Sequence, residues 1–517
     1  MATSSDKSEL LEKKKDRMDL NTDADYGTGE AEADDASQNG TTSRDIRLRD
    51  VKFERDREEV AKSYEYTVED AVECIGFGVF QWKLIFMCGM YSACDAFEML
   101  LLAVLSPVIR CEWQLEEWQV ALLTTIVFVG MFIGSPIYGS WSDTYGRLPV
   151  LGICASLMFY FGILTALSPT YIWILILRGI VGFGFGGAVQ SFTLLAEYLP
   201  RRVRAKVLIS YTAFWAAGSC VEIFMAFLVI PTLGWRWLVG FSAGPMLIMI
   251  ILLYWMPESA RFLMAAGKRD KALQVLQRMA RENKSKLPDG ALVESQKLKR
   301  GHFTDLFKEY TSTTLPLWML WFCTAFSYYG VILVQAQIHE FAKTCGTADV
   351  IPPVGDCHCA HLLDSAAYKA MIIATLGEFV CIPFNIIALD WIGRKRCISI
   401  SLFCASILFF CILICTPPIG TTIFIFGIRG FATSLFNSVY IYTTEVYPTA
   451  VRSLGLGSCS AMARLGAMTT PFVAQVLLKQ SLLGSICVYG VLCMICAVVA
   501  CLLPIETKNR MLLQTGK

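Results

Sequence analysis

Charged residues are scarce in this chain. Only 17% of its 517 residues are Asp, Glu, Lys or Arg, and the formal net charge at pH 7 is +1. Because nucleic-acid-binding proteins carry basic stripes, this composition argues against nucleic acid as a partner. The sequence also lacks a nucleophile constellation, a phosphate-binding loop and metal ligands at a common spacing. We therefore expect no enzyme activity, no cofactor and no metal site.

The chain also lacks a signal peptide before its first apolar run, so its N-terminus is expected to stay in the cytosol. Apolar residues, by contrast, are abundant, since 55% of the residues are hydrophobic. A soluble core of this length needs far less apolar surface. We therefore predict an all-α integral membrane protein, with the lipid bilayer as its solvent.

Twelve apolar runs have the length that crosses a bilayer, about 20 residues. They are residues 84–109, 117–139, 148–167, 171–196, 207–231, 237–256, 315–337, 367–389, 397–416, 420–445, 453–478 and 483–503. Lys and Arg concentrate in the loops after runs 2, 4, 8 and 10 and in the segment 257–314. By the positive-inside rule, these loops and both termini are predicted to face the cytosol.

The second half of the chain repeats the landmarks of the first at a nearly constant offset. Each half has an Asp-x-x-Gly-Arg loop, a Glu and an Arg with six residues between them, and a Glu-containing motif after its last run. These landmarks lie at 143–147 and 390–394, at 197–204 and 445–452, and at 257–259 and 504–507. Such duplication predicts two pseudo-symmetric six-helix halves with a substrate site at their interface near the bilayer midplane.

Five parts of the chain follow from the runs and the repeat. They are a disordered cytosolic tail (1–65), an N-terminal half (66–256), a cytosolic linker with short helices (257–314), a C-terminal half (315–505) and a cytosolic tail (506–517). The N-terminal tail is polar with almost no aromatic residues, which is why disorder is predicted for it.

The repeated motifs resemble those of the major facilitator superfamily, on its sugar-porter and organic-ion side, over residues 68–510. Tyr328-Tyr329-Gly330 and Met462-Ala463-Arg464 further resemble a synaptic-vesicle branch of that superfamily. The resemblance implies the major facilitator fold and a secondary active transporter of a small organic ion, with H⁺ as a candidate coupling ion. It also implies a cytoplasmic vesicle membrane, with the plasma membrane as the alternative. A vesicle protein that has kept the fold and lost transport is the alternative function.

The charged landmarks are predicted to form a cytosolic gate. Arg–carboxylate pairs would hold the two halves together in one state and separate in another; the alternative is that these charges only anchor helix ends at lipid headgroups. The gate set is Asp143, Gly146, Arg147, Glu197, Arg204, Glu258, Arg261, Asp390, Gly393, Arg394, Glu445 and Arg452. The first loop departs from the family pattern, because Leu148-Pro149 stands where Arg or Lys is common, whereas the second keeps Lys395 and Arg396.

Charges inside the spans mark the candidate substrate site, since each costs at least about 2.5 kcal/mol at mid-membrane unless it faces a cavity or a partner. Asp95 and Glu98 share a helical face, and one of them is expected to hold a proton near neutral pH. Arg464 is either their structural partner or an anchor for a substrate carboxylate. For Arg178 and Arg429 two roles stay open: snorkelling to the membrane surface, or a proton relay. The remaining site candidates are Glu222, Tyr328, Tyr329, Gln335, Glu378, Asn437 and Tyr440.

Two further features bear on partners and oxidation state. Leu10 and Leu11 fit an acidic dileucine signal of the kind that clathrin adaptors read in cytosolic tails, although such hexamers also arise by chance.

Most of the 20 cysteines fall inside the apolar runs, where cysteine behaves as a small hydrophobe. A disulfide is expected, with its connectivity open, among the four cysteines on the non-cytosolic side, Cys111, Cys345, Cys357 and Cys359.

Overall fold

The structure, a computed structural model, describes residues 65–294, 303–344, 364–414, 416–448 and 451–508. Within these ranges, twelve helices are long and apolar enough to cross a membrane. Spans 1 to 12 are Val79–Trp113, Glu117–Tyr145, Arg147–Ala166, Tyr171–Glu197, Arg201–Leu233, Trp235–Trp255, Thr311–Gln335, Ser365–Trp391, Arg394–Ile412, Pro418–Val446, Arg452–Gln480 and Leu482–Cys501. The prediction of twelve spans is therefore confirmed. Leu10, Leu11 and the cysteines Cys345, Cys357 and Cys359 lie outside the described residues, whereas Cys111 is disulfide-bonded.

Several spans depart from a single regular α-helix. Span 4 consists of the helices Tyr171–Phe185 and Val189–Glu197, and span 6 ends in a 3₁₀ turn, Leu253–Trp255. Span 11 passes from the helix Arg452–Pro471 through a π-helical stretch, Phe472–Leu477, into Leu478–Gln480. The helix of span 7 continues beyond the span, over Thr311–Thr344.

The two halves are packed in the same way. Span 1 contacts span 5, span 2 contacts span 4 and span 3 contacts span 6, and the same three pairings recur among spans 7 to 12. Two glycines allow the close approach of spans 2 and 4 and of spans 8 and 10, because a Cβ at Gly130 would collide with the carbonyl of Gly179 and a Cβ at Gly377 with that of Phe426. The halves meet where span 2 packs on span 11 and span 5 on span 8.

The segment between the halves is attached to the start of span 1. It contains the helices Ala260–Ala265, Arg269–Glu282 and Asp305–Lys308. Asn283 accepts a hydrogen bond from Phe80 N at 2.9 Å and donates one to Gln81 Oε1 at 2.7 Å. The strand Ala291–Leu292 pairs in parallel with Glu65–Tyr66, which precedes the helix Val68–Ile75. These contacts fix most of the segment to the N-terminal half.

Candidate transport site and charge clusters

The most buried ion pair of the N-terminal half joins span 1 to span 4. Arg178 Nη1 donates to Glu98 Oε2 at 2.5 Å, and each side chain is 1% exposed. Among the described residues, Arg178 Nε and Nη2 and Glu98 Oε1 have no hydrogen-bond partner. Arg178 therefore does not snorkel to the membrane surface. It is buried beside a carboxylate, and both side chains keep unused hydrogen-bonding capacity.

Two more carboxylates are buried near this pair. Asp95, one turn before Glu98, is 7% exposed, and its Oδ1 has no partner in the described part of the chain. Glu222 of span 5 is fully buried and accepts hydrogen bonds from Ser242 Oγ of span 6 at 2.9 and 3.0 Å. Glu222 interacts electrostatically with both Glu98 and Arg178. Asp95 interacts electrostatically with Glu98, so the three buried carboxylates form one group, and Arg178 is the guanidinium paired within it.

Arg464 is not the ionic partner of this group. Its Nη1 donates to Ser460 O at 3.0 Å and to Ser460 Oγ at 2.5 Å, one turn back along its own span 11. The alternative in which Arg464 forms a structural pair with Asp95 or Glu98 is not what this structure shows, because Arg178 of the same half pairs with Glu98. Arg464 and Asp95 are both within electrostatic range of Tyr329, whose ring lies 4.9 Å from that of Phe128 across the interface between the halves.

The C-terminal half has a second buried pair, on spans 8 and 10. Arg429 donates to Glu378 Oε1 from Nε at 3.0 Å and from Nη2 at 2.5 Å, and the two side chains are 0% and 1% exposed. Arg429 Nη1 also donates to Gln335 Oε1 of span 7 at 3.0 Å. Tyr328 OH lies 3.4 Å from both oxygens of Glu378. Here one carboxylate faces one guanidinium, so the charges balance.

The two remaining site candidates lie on span 10. The ring of Tyr440 is 5.1 Å from that of Phe192 on span 4, which makes it another contact between the halves. Asn437 is half-buried, and within the described ranges its Nδ2 has no hydrogen-bond partner. Asn437 can therefore donate to a ligand.

The Asp-x-x-Gly-Arg loops lie at one end of the bundle, here called the motif end. The first charge cluster at this end lies within the N-terminal half. Arg147 donates to Asp143 at 2.8 Å and approaches Glu197 at 3.5 Å. Glu258, after span 6, accepts hydrogen bonds from the backbone N–H of Arg147 at 2.9 Å and of Leu148 at 3.2 Å. This carboxylate cradle holds the loop between spans 2 and 3.

The second cluster repeats this arrangement within the C-terminal half. Arg394 Nη2 donates to Glu445 Oε1 at 3.2 Å. Glu506 accepts from the backbone N–H of Arg394 at 2.9 Å and of Lys395 at 3.2 Å. The loops also share backbone geometry, since Gly146 has φ 107° and Gly393 has φ 102°. These values lie in the region that only glycine adopts without strain.

The predicted pairing of these clusters with each other across the halves is not what the structure shows. Of the remaining gate residues, Arg204 and Arg261 contact Glu69 of the helix Val68–Ile75, at 3.5 and 3.4 Å, and Arg452 donates to Tyr447 O at 3.3 Å. Within the described ranges, the ion pair that joins the halves at this end is Lys206–Asp390 at 3.7 Å. Both of its side chains are more than half exposed, so it contributes little.

Glu69 is the centre of a charge cluster that the sequence did not single out. Arg201 Nε donates to it at 3.0 Å. This hydrogen bond, opposed by burial and reinforced by nearby guanidinium charge, lowers the pKa of Glu69 from 4.5 to about 2.

Glu506 was also missed, although its counterpart Glu258 was identified. The signal was present, because each Glu follows the last span of its half.

Comparison with known proteins identifies the family. A family model described as "Sugar (and other) transporter" matches residues 71–516. The chain belongs to this transporter family. Among its relatives are the synaptic vesicle 2-related proteins of Pongo abelii, 45% identical, and of Xenopus laevis, 44% identical; each match covers 86% of this chain and 82% of the relative. These relatives belong to a family of transporters, which are not enzymes.

Solved structures confirm the predicted major facilitator fold. The partially occluded inward-open form of the xylose transporter XylE from E. coli matches with a TM-score of 0.66 at 18% identity, over 84% of this chain and all of that chain. The proton:xylose symporter XylE bound to 6-bromo-6-deoxy-D-glucose matches with a TM-score of 0.63 at 20% identity, over 84% of this chain and 98% of that chain. At this level of identity the likeness supports the fold alone. The protein is thus a multi-pass membrane protein of a transporter family.

Proposed function

We propose that the protein is a proton-coupled secondary active transporter of a small organic anion. The observation that carries the proposal is an excess of buried acidic groups in the N-terminal half, where Asp95 and Glu222 both interact with Glu98, the residue paired with Arg178. Membership in a transporter family supports transport, and a proton:xylose symporter shares the fold. The names of the relatives support a vesicle membrane as the location.

Proton binding follows from the charge imbalance. Three ionised carboxylates beside one guanidinium leave excess negative charge in a low-dielectric interior, and taking up a proton removes part of it. Glu98 is the carboxylate of this group that links two spans, because its Oε2 accepts from Arg178 Nη1 at 2.5 Å. When Glu98 is charged, the pair links spans 1 and 4. When Glu98 takes a proton, that ionic link is lost.

Coupling requires that the two protonation states favour different conformations. A proton or a substrate shifts an equilibrium between conformations only by its difference in affinity for them. The bond between spans 1 and 4 provides such a difference, since it exists in one protonation state of Glu98. The balanced Glu378–Arg429 pair has no excess acid, and we assign it to holding spans 8 and 10 together.

The proposed negative charge of the substrate follows from hydrogen-bond donors on the C-terminal half. Arg464 is bonded to its own span through Ser460, and its Nε has no partner among the described residues. Asn437 Nδ2 is likewise unsatisfied within that part of the chain. A guanidinium and an amide N–H together suit a carboxylate. Tyr329 is within electrostatic range of both Arg464 and Asp95, which supports a substrate site near the acidic group.

The test begins with a thermal-shift screen of the purified protein against organic acids, amines, sugars and nucleotides, because a ligand of the folded state raises the melting temperature. An acid found in this way is then offered to proteoliposomes with an imposed pH gradient. We expect uptake driven by the gradient in the wild type. Glu98→Gln should still bind the acid but lose the pH dependence of uptake, and Arg464→Ala should lose binding of carboxylate ligands.

Glu378→Gln is the matched control, because it also neutralises a buried, Arg-paired Glu, but in the balanced pair. Its uptake rate is expected to fall in proportion to its lower stability, whereas its pH profile should keep the wild-type shape. A ligand that binds without uptake in any gradient would contradict transport and favour the non-transporting vesicle protein. Uptake whose pH profile is unchanged in Glu98→Gln would contradict the proton-coupling role of this residue.

A further inference from the structure

A cavity of about 530 Å³ lies at the motif end of the C-terminal half. Its walls come from the end of span 8, the start of span 9 and the residues after span 12. The lining residues are Trp391, Ile392, Lys395, Arg396, Glu506 and Lys508. None of them belongs to the candidate transport site. Glu506 is the carboxylate of the cradle, and Lys395 takes part in it through its backbone N–H.

The basic residues of this cavity are not needed to build the loop that carries them. The N-terminal half forms the same cradle, with Glu258 receiving the two backbone N–H groups at the same 2.9 and 3.2 Å as Glu506. The positions of Lys395, Arg396 and Lys508 are taken there by Leu148, Pro149 and Ala260. The fold of the loop therefore does not explain the three positive charges of the C-terminal half.

The cavity carries an excess of positive charge. Glu506 is its acidic residue, and its oxygens already receive the backbone N–H groups of Arg394, Lys395 and Lys508. Lys395 Nζ donates to Leu503 O at 2.6 Å and Lys508 Nζ to Trp391 O at 2.7 Å. Because an ammonium has three donors, each Lys keeps two for a ligand. These bonds to carbonyls hold both ammonium groups at the cavity.

The cavity opens beside the lipid-facing surface of the bundle. Trp391 is 79% exposed at the end of span 8, and Leu502, directly after span 12, is 72% exposed. A Trp at a span end is typical of headgroup depth. Exposed apolar side chains continue from there along span 9, at Ile400 and Phe403, and along span 12, at Val498. A headgroup in the cavity would leave its acyl chains against these faces.

We propose that this cavity binds the phosphorylated headgroup of an anionic phospholipid from the cytosolic leaflet. Lys395, Arg396 and Lys508 supply the charge, and basic pockets at the cytosolic ends of spans are suited to such headgroups. The adjoining apolar faces favour a lipid over a soluble phosphate. The proposal does not depend on transport, since the test below reads binding alone.

The test uses the full-length protein in detergent micelles and reads its melting temperature as lipid is added. Phosphatidylinositol 4-phosphate should raise the melting temperature, and phosphatidylcholine should not. The triple variant Lys395→Gln, Arg396→Gln, Lys508→Gln should weaken the apparent affinity for the anionic lipid roughly a hundredfold. Arg396→Gln alone changes one exposed side chain and should weaken it about fivefold, which keeps the test valid if the triple variant does not fold.

The matched control removes three positive charges from elsewhere on the motif end, Arg202→Gln, Lys268→Gln and Lys271→Gln, all exposed. It should keep nearly the full lipid effect. Equal weakening in this control would show diffuse attraction to the surface and overturn the proposal. A shift by inorganic phosphate as large as that by the lipid would make the cavity a soluble-anion site and would also overturn it. So would the absence of any lipid effect on the wild type.

Discussion

Removing Arg429 alone is expected to destabilise the protein more than removing Arg429 and Glu378 together. The pair is almost completely buried, at 0% and 1% side-chain exposure. Breaking a buried ion pair by deleting one member typically costs about 3–5 kcal/mol, because the other charge is left uncompensated, whereas replacing both by apolar residues is often close to neutral. Arg429→Leu should therefore cost about 3–5 kcal/mol, and Glu378→Leu, Arg429→Leu clearly less.

The surroundings modify the double variant only modestly. Gln335 loses its partner Arg429, and Tyr328 loses Glu378. Arg429→Leu alone already removes the partner of Gln335, so the two variants differ in Tyr328, which loses Glu378 only in the double variant. A neutral buried group left without a hydrogen bond costs about 1–3 kcal/mol, less than the roughly 3–5 kcal/mol of an uncompensated buried charge, so we expect the double variant to be the less destabilised of the two. Both are measured by equilibrium unfolding in mixed micelles with a denaturing detergent.

The exposed pair Lys206–Asp390 provides the control, since Lys206→Leu should cost no more than about 1 kcal/mol. A double variant that is as unstable as the sum of Glu378→Leu and Arg429→Leu would refute the reasoning. It would mean that the two side chains stabilise the fold independently, and the balanced pair would lose its assigned role of holding spans 8 and 10 together.

Two further predictions concern regions outside the spans. The pKa of Glu69 is about 2 instead of 4.5 in the folded protein, so its contribution to stability is complete above pH 4.5 and is lost as the pH falls toward 2. Melting temperatures measured from pH 6 to pH 3 should thus fall more steeply for the wild type than for Glu69→Gln; parallel curves would contradict this role. Leu10→Ala, Leu11→Ala should move the protein from vesicles to the plasma membrane in cells, and an unchanged distribution would show the dileucine match to be accidental.

Span positions were predictable because membrane thickness fixes them. A bilayer demands about 20 apolar residues whatever their neighbours are, and all twelve predicted runs fall within or across the observed spans. The extensions were not predictable in this way. Span 1 extends beyond the predicted run, from Val79 to Trp113, because helical hydrogen bonds between successive turns do not stop where the apolar residues end.

Charged residues of the site were identified more reliably than their partners. Sequence shows that Glu98 and Arg178 are in spans, but it does not show which spans are neighbours. The role of Arg464 therefore stayed open between a partner of Asp95 or Glu98 and a substrate anchor, and the packing places Arg178 against Glu98. The carboxylate cradles were missed for a similar reason: the sequence places Glu258 and Glu506 after the last span of each half, but it does not show that they bind backbone N–H groups.

The attachment of the central segment to span 1 has a consequence for how the molecule would move. Glu258 is bonded to the loop before span 3, Asn283 to the start of span 1, and the strand ending at Leu292 to Tyr66. Thr314, at the start of span 7, lies within hydrogen-bond distance of Tyr447 and so belongs to the C-terminal half. If the two halves move as rigid bodies, the chain up to Leu292 moves with the N-terminal half. The border between the two moving bodies then falls some forty residues beyond the end of span 6, and a label placed on the helix Arg269–Glu282 would report the motion of the N-terminal half.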